Sequence, residues 1–281
     1  MKKRTLSGRL FTLICLSSTL LAQAPLPETH TFLQKVRANL KSDTLLLSQY
    51  TFLESETTRT LGKKGAVKRE EKRVYEVFPG AEETTPYRRL VSKDGQAVSE
   101  KKLQKQDRQH QKRLEKARNT SAERRARMEA KEEAQVDEIF QLFQFRLAGR
   151  EVIDGRQTIL VEFEPDPSFR PRRKDIRPLK KIRGKAWVDE ADFQLVRIEA
   201  ELLGSISLGL GFLAKLHKGA EIRFQRRKLN DEIWLPAEAY FRVSGRILLL
   251  KGFRVEAVHS YSDYQKFSVE SSVSFAGKPP P

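Results

Sequence analysis

Cysteine is almost missing from this 281-residue chain: the one thiol is Cys15, inside an apolar stretch near the N-terminus. A single cysteine closes no intramolecular disulfide, so stability must come from a packed core. Four histidines, His30, His110, His217 and His259, lie far apart, without the close spacing of ligand pairs that zinc sites show. They are expected as surface or half-buried side chains, and neither a metal nor another cofactor is expected. A nucleophile elbow is also wanting. Gly204-Ser-Ile-Ser-Leu-Gly209 does not set a serine as G-x-S-x-G does, and no phosphate-cradling glycine loop appears. Asp189, Asp192, Glu199 and Glu201 fall in turns or on wet strand faces, which suits solvated acids better than a catalytic pair. These absences speak against an enzyme.

Long hydrophobic runs are lacking too. The apolar stretch Leu10 to Leu21 has twelve residues, short of the roughly 20 that a membrane span needs. Lys2, Lys3, Arg4 and Arg9 precede it and Ala22-Gln-Ala24 follows, the charged head, apolar middle and small-residue tail of a secretory signal peptide over residues 1–24. Ala24 completes an A-x-A site, but Pro25 is a poor first mature residue, so cleavage is expected near 22–24. The expected destination is the periplasm. Ile14 before Cys15 is not small, so a lipid anchor is not expected.

Anionic residues are outnumbered. The chain carries 54 Lys and Arg against 37 Asp and Glu, a net charge of +17; four cations and no acids lie in residues 1–24, which leaves +13. That excess favours anionic partners such as phospholipid headgroups. For an exported protein nucleic acid is the least available of these, and none is expected as a partner.

What is present is mostly strand. Phe32, Leu33, Val36 and Leu40 recur at helical spacing within Glu28 to Leu46. Strands are expected at Ser48 to Thr60, Val67 to Phe78 and Tyr87 to Ser92. The segment from Glu100 to Glu133 then holds 12 Lys and Arg, 7 Asp and Glu and few large apolar residues. It reads as two helices broken near Asn119-Thr-Ser121, polar all round, and therefore as a solvated projection or a partly disordered insertion at about 96–135. Val136, Ile139, Phe140 and Phe143 restore an apolar stripe that docks on a sheet. Asp154-Gly155 marks a hairpin before a strand at Gln157 to Glu164. Arg170 to Lys185 carries nine cations and one acid, Asp175, the densest positive patch. Further strands are expected at Lys181 to Val188, Phe193 to Leu203, Ala220 to Lys228, Glu232 to Ser244, Ile247 to His259 and Tyr261 to Phe267. Leu202 to Leu216, interrupted by Gly204, Gly209 and Gly211, reads either as a flap that puts Phe212 over an apolar cavity or as a distorted core strand.

Gly184-Lys-Ala-Trp-Val-Asp189, Phe193-Gln-Leu-Val-Arg-Ile198 and Ile233-Trp-Leu-Pro236 after Asn230-Asp231, with the signal peptide and helical interruption, resemble the outer-membrane lipoprotein-sorting proteins, the LolA/LolB-like group. The resemblance covers most of the mature chain. It implies an α+β fold, mainly antiparallel: one domain over 25–275, a curved unclosed β-barrel covered by helices, with 276–281 as a tail. It further implies a carrier whose apolar face receives acyl chains of lipoproteins or other lipids. Trp187, Val196, Ile198, Ile222, Phe224, Phe241 and Val243 would line that cavity, joined by Phe212 from the flap. Arg170, Arg172, Arg173, Lys174 and Arg177 would meet anionic headgroups, an acceptor membrane or an envelope protein. The insertion and the basic connection depart from compact carriers, and the alternative is an envelope sensor on the same fold that binds a protein partner.

Overall fold

The computed structural model describes residues 24–39, 50–78, 86–118, 122–208, 214–247 and 251–266. The expected signal-peptide positions 1–23, Phe212 and the expected tail lie outside them. The N-terminal helix α1 (Thr29–Asn39) is followed by β1 (Tyr50–Leu61), β2 (Val67–Phe78), β3 (Tyr87–Lys93) and β4 (Gln96–Ala97). Two helices, α2 (Glu100–Arg118) and α3 (Ala122–Leu142), lead into β5 (Phe143–Ile153) and β6 (Arg156–Pro165). After a connection ending in a 3-10 turn come β7 (Ile182–Asp189), β8 (Leu195–Leu202), β9 (Ile206–Leu208), β10 (Ala214–Leu216), β11 (Glu221–Leu229), β12 (Ile233–Ile247) and β13 (Lys251–Lys266).

All strands join one antiparallel sheet in the order β4-β3-β2-β1-β13-β12-β11-β8-β7-β6-β5. The short β9–β10 hairpin pairs onto the end of β12. The ends of this order, β4 and β5, do not meet, so the sheet is not closed into a barrel. Tight turns follow from local chemistry. Asp154 (φ 48°) and Gly155 (φ 77°) both take the left-handed conformation that a two-residue hairpin needs.

The core sits where α1 crosses β5 to β7. Phe32 and Val36 pack on Ile159, Val161 and Val188, with Phe193 edge-on to Phe32 at 5.7 Å. Glu28 accepts the backbone N–H groups of His30 and Thr31 at the start of α1, and these hydrogen bonds, with a side-chain bond from Thr31, hold its pKa down at about 2. A second cluster joins Tyr50, Ile233 and Leu235.

Two expectations change. The strands foreseen at Ile247 to His259 and Tyr261 to Phe267 are one 16-residue strand, β13. The charged insertion is helical but is not a free projection. The Gln106 side chain of α2 accepts the N–H of Leu90 (2.9 Å) and donates to its carbonyl (3.1 Å). Asp107 accepts hydrogen bonds from the Tyr87 hydroxyl (2.7 Å) and from Arg89 (3.1 Å), and His110 stacks on Tyr87 at 4.1 Å. The docking stripe of α2 is polar, which is why no apolar period reveals it.

Candidate functional site

Strand alternation carries two rows of side chains across one face of the sheet. One runs Phe145, Phe163, Gly184, Ala200, Ile222, Phe241, Ala257 from β5 to β13. The neighbouring row runs Leu147, Val161, Ala186, Ile198, Phe224, Ala239, His259. Over β5 to β7 this face is covered by α1 and by the last turns of α3, where Phe140 lies 5.6 Å from Phe145. An ion pair between Arg37 and Asp137 ties the two helices together. From β8 onward the face is barer: Ile198, Phe224, Phe241 and Val243 are half-buried, and Ile222 is 38% exposed. An apolar wall thus continues beyond its helical cover.

Two glycines shape this wall. A Cβ at Gly184 would meet the Glu199 carbonyl and the Phe163 ring, and one at Gly245 would meet the Lys215 carbonyl and the Phe253 ring. In both places an aromatic side chain lies over bare backbone and completes the apolar surface.

The rows change character at β13. Beyond His259 and Ala257 the same face carries Glu56 and Thr58 of β1, then Arg73 and Glu71 of β2. Phe241 meets His259 edge-on at 5.6 Å, and His259 Nδ1 lies 2.7 Å from Glu54 Oε1. Glu54 is buried and also accepts Arg88 Nε at 2.6 Å, while Arg88 lies over the Tyr75 ring at 4.1 Å. Burial works against ionisation of Glu54, but hydrogen bonds from His259 and Arg88 outweigh it and leave its pKa below the ordinary value. Glu56 accepts from Arg88 and Arg73, at 3.3 and 3.4 Å. This polar cluster closes one end of the apolar wall. Glu54 and His259 are 205 residues apart, and only the non-local pairing of β1 with β13 brings them together.

Ile198, Ile222, Phe224, Phe241 and Val243 lie together on the apolar face, and Val196 is fully buried beside the bulge between β7 and β8. Trp187 is elsewhere. Ala186 pairs with Ile198 but Trp187 pairs with Arg197, so the indole occupies the opposite face. There it donates to Glu151 (2.8 Å) and lies beneath the Arg197 guanidinium at 4.9 Å. A period of two in β7 cannot place Trp187 with Ala186. That opposite face carries charged rows, Arg146, Glu162, Lys185, Glu199 and Arg223 among them. These residues line a groove of about 1040 Å³ together with Phe145, Phe163, Gly184, Ala200 and Ile222 of the apolar row. Its charges are largely compensated: Arg146 and Lys185 reach Glu162, and Arg183 pairs with Glu201.

Asp189, Asp192 and Trp234 form a latch at the rim of the sheet. Asp189, 1% exposed, accepts Arg156 (2.6 and 3.1 Å) and the N–H groups of Ala191 and Asp192. Asp192 accepts the Trp234 indole (3.0 Å) and pairs with Lys228 (2.8 Å). Burial works against its ionisation, yet these bonds keep its pKa low. Both carboxylates hold turns at the rim. Among the described residues no group of three or more His, Cys, Asp and Glu could hold a metal ion.

The described ends of the glycine-interrupted segment, β9 and β10, pair with each other, as Ala214 opposite Leu208 shows. In the basic connection the five arginine and lysine candidates differ in setting. Arg173 pairs with Asp175 (2.8 Å), while Arg170 donates to the carbonyls of Pro167 and Ser168. Arg172, Lys174 and Arg177 are exposed. No helix among the described residues is long and apolar enough to cross a membrane.

No sequence-family model matches the chain, and no curated relative does. Among solved structures, a LolA superfamily protein from Nitrosomonas europaea is similar at 12% identity over 87% of this chain and 96% of its own, with a TM-score of 0.26. A putative outer membrane lipoprotein-sorting protein domain from Vibrio parahaemolyticus is similar at 10% identity over 86% and 93%, with a TM-score of 0.31. MucB in complex with MucA is similar at 9% identity over 86% and 100%, with a TM-score of 0.22. Likenesses this loose assign no function.

Proposed function

We propose that this protein is an exported, non-enzymatic carrier that holds the acyl chains of a lipid or lipoprotein against the apolar face of its sheet. The observation that carries the reading is the half-open wall of Ile198, Ile222, Phe224 and Phe241, continuous with the helix-covered core yet left partly exposed. A half-buried apolar surface of this kind gains stability when an apolar ligand covers what is left open to water. Each methylene of an acyl chain laid there contributes about 0.8 kcal/mol. Residues 1–24 serve as the export signal, and the mature protein works in the periplasm without a lipid anchor.

The test is to purify the protein and analyse an organic extract by mass spectrometry, alongside titration with a fluorescent fatty acid. Co-purifying lipid and saturable binding are expected. Protein that is reproducibly lipid-free and does not bind the probe overturns the reading and favours a sensor that engages a protein partner.

A further inference from the structure

The connection between β6 and β7 is built rather than slack. Ile176 at its centre has no exposed surface, Pro171 is buried, and the Glu138 carboxylate of α3 accepts the backbone N–H groups of Arg172 (2.5 Å) and Arg173 (3.2 Å). The ammonium of Lys180 folds back onto the Phe169 carbonyl at 2.5 Å, and Lys181 reaches the Ser205 carbonyl at 2.5 Å. Carbonyl contacts hold these side chains without cancelling their charge. Of the two acids in the connection, Asp175 is engaged by Arg173 and Asp166 accepts the N–H and hydroxyl of Ser168.

That leaves Arg172, Lys174 and Arg177 exposed and paired with no described carboxylate, on a backbone pinned from beneath. Elsewhere on the sheet the arginines are mostly matched with acids, as Arg183 is with Glu201 and Arg59 with Glu70. Uncompensated cations on one short fixed loop repel each other, and an anionic surface offsets that repulsion. The two grooves over β5 to β11 and over β11 and β12 are lined by residues outside 166–181. Long flexible cations that no described carboxylate orients follow charge density rather than shape, which suits a plane of lipid headgroups.

We infer that the loop carrying Arg172, Lys174 and Arg177 docks this protein on an anionic lipid bilayer. The contact is peripheral and electrostatic, and salt weakens it. It is separate from the apolar wall, so the two stand or fall independently.

The experiment is co-sedimentation of the mature chain with phosphatidylcholine vesicles with and without phosphatidylglycerol. Three proteins are compared: the parent, the loop triple variant R172Q/K174Q/R177Q, and a triple variant on exposed positions of α2, K101Q/K112Q/K116Q, with the same change of net charge. Each cation near such a surface is worth roughly a fivefold change in partitioning, so the loop variant should bind phosphatidylglycerol vesicles about 100-fold more weakly than the parent. The α2 variant should stay within a few-fold of the parent, and fatty-acid binding by the loop variant should be unchanged. An equal loss in both variants overturns the inference, because net charge alone would then govern binding. Parent binding that does not depend on phosphatidylglycerol also overturns it. So does loop-dependent binding to an acidic peptide with none to vesicles, which would put a protein partner at the loop.

Discussion

Replacing Ile222 by glutamate separates the use of the apolar wall from its stability. Ile222 lies in β11 between Ala200 and Phe241 and is 38% exposed. Because so much of the side chain is already wet, the free protein loses only part of the 1.5–3 kcal/mol of a fully buried isoleucine, or about 1 kcal/mol. The new carboxylate can turn to water when the wall is empty. With an acyl chain across the wall it cannot. The chain then forfeits about two to three methylenes of contact, worth about 2 kcal/mol, and the carboxylate loses hydration at a further cost of at least about 1 kcal/mol. Together these weaken binding by more than 100-fold, while urea unfolding moves by about 1 kcal/mol. The assay is titration with a fluorescent fatty acid beside a urea melt of the same preparation. Affinity within twofold of the parent, in a protein that melts normally, would refute the placement of the ligand on this face.

Gly184→Val tests the close approach of β7 and β8. The added Cβ collides with the Glu199 carbonyl and with Phe163 Cζ at 2.6 Å, so backbone must shift. A loss of about 3 kcal/mol or more is expected in denaturant melts, and a loss below about 0.5 kcal/mol would contradict the geometry. Glu54→Gln tests the polar end of the wall. The folded-state pKa of Glu54 lies below its ordinary 4.5, so its pairing contributes fully above that value and is lost as the pH falls through the lower folded value. The parent should therefore lose more stability than the variant on acidification below pH 4.5, and parallel acid limbs would show that the pairing contributes nothing.

Much of the sheet was legible because its strands are amphipathic with period two. Val67 to Phe78 is a strand between the expected residues, and Ile198, Ile222, Phe224, Phe241 and Val243 do share a face. Trp187 faces away from these residues: the resemblance attaches it to a motif, whereas strand pairing sets its face. The motif residues Asp189 and Trp234 hold the rim of the sheet together. Glu54 and His259 left no local trace, since neither is unusual in its own strand and their meeting depends on which strands pair. The docking of α2 was hidden for another reason: Gln106, Asp107 and His110 bind β3 through polar groups, and hydrophobic periodicity registers only apolar contact.

The sheet order has a consequence for how the chain reaches this state. Strands β1 to β4 are made first, but among the described strands the only ladder joining them to the rest is β1 with β13, the last strand of the sheet. During synthesis β1 therefore waits with one edge unpaired until nearly the whole chain has emerged. Closing so large a loop places the fold at the slow, high-contact-order end of folding behaviour. The charge on β1 and β2, with Arg59, Glu70, Lys72 and Glu56 spread along them, is what keeps an open edge from recruiting other chains in the interval. Completion of the molecule is thus a single late event, and a chain truncated before Lys251 would lack the strand that seals it.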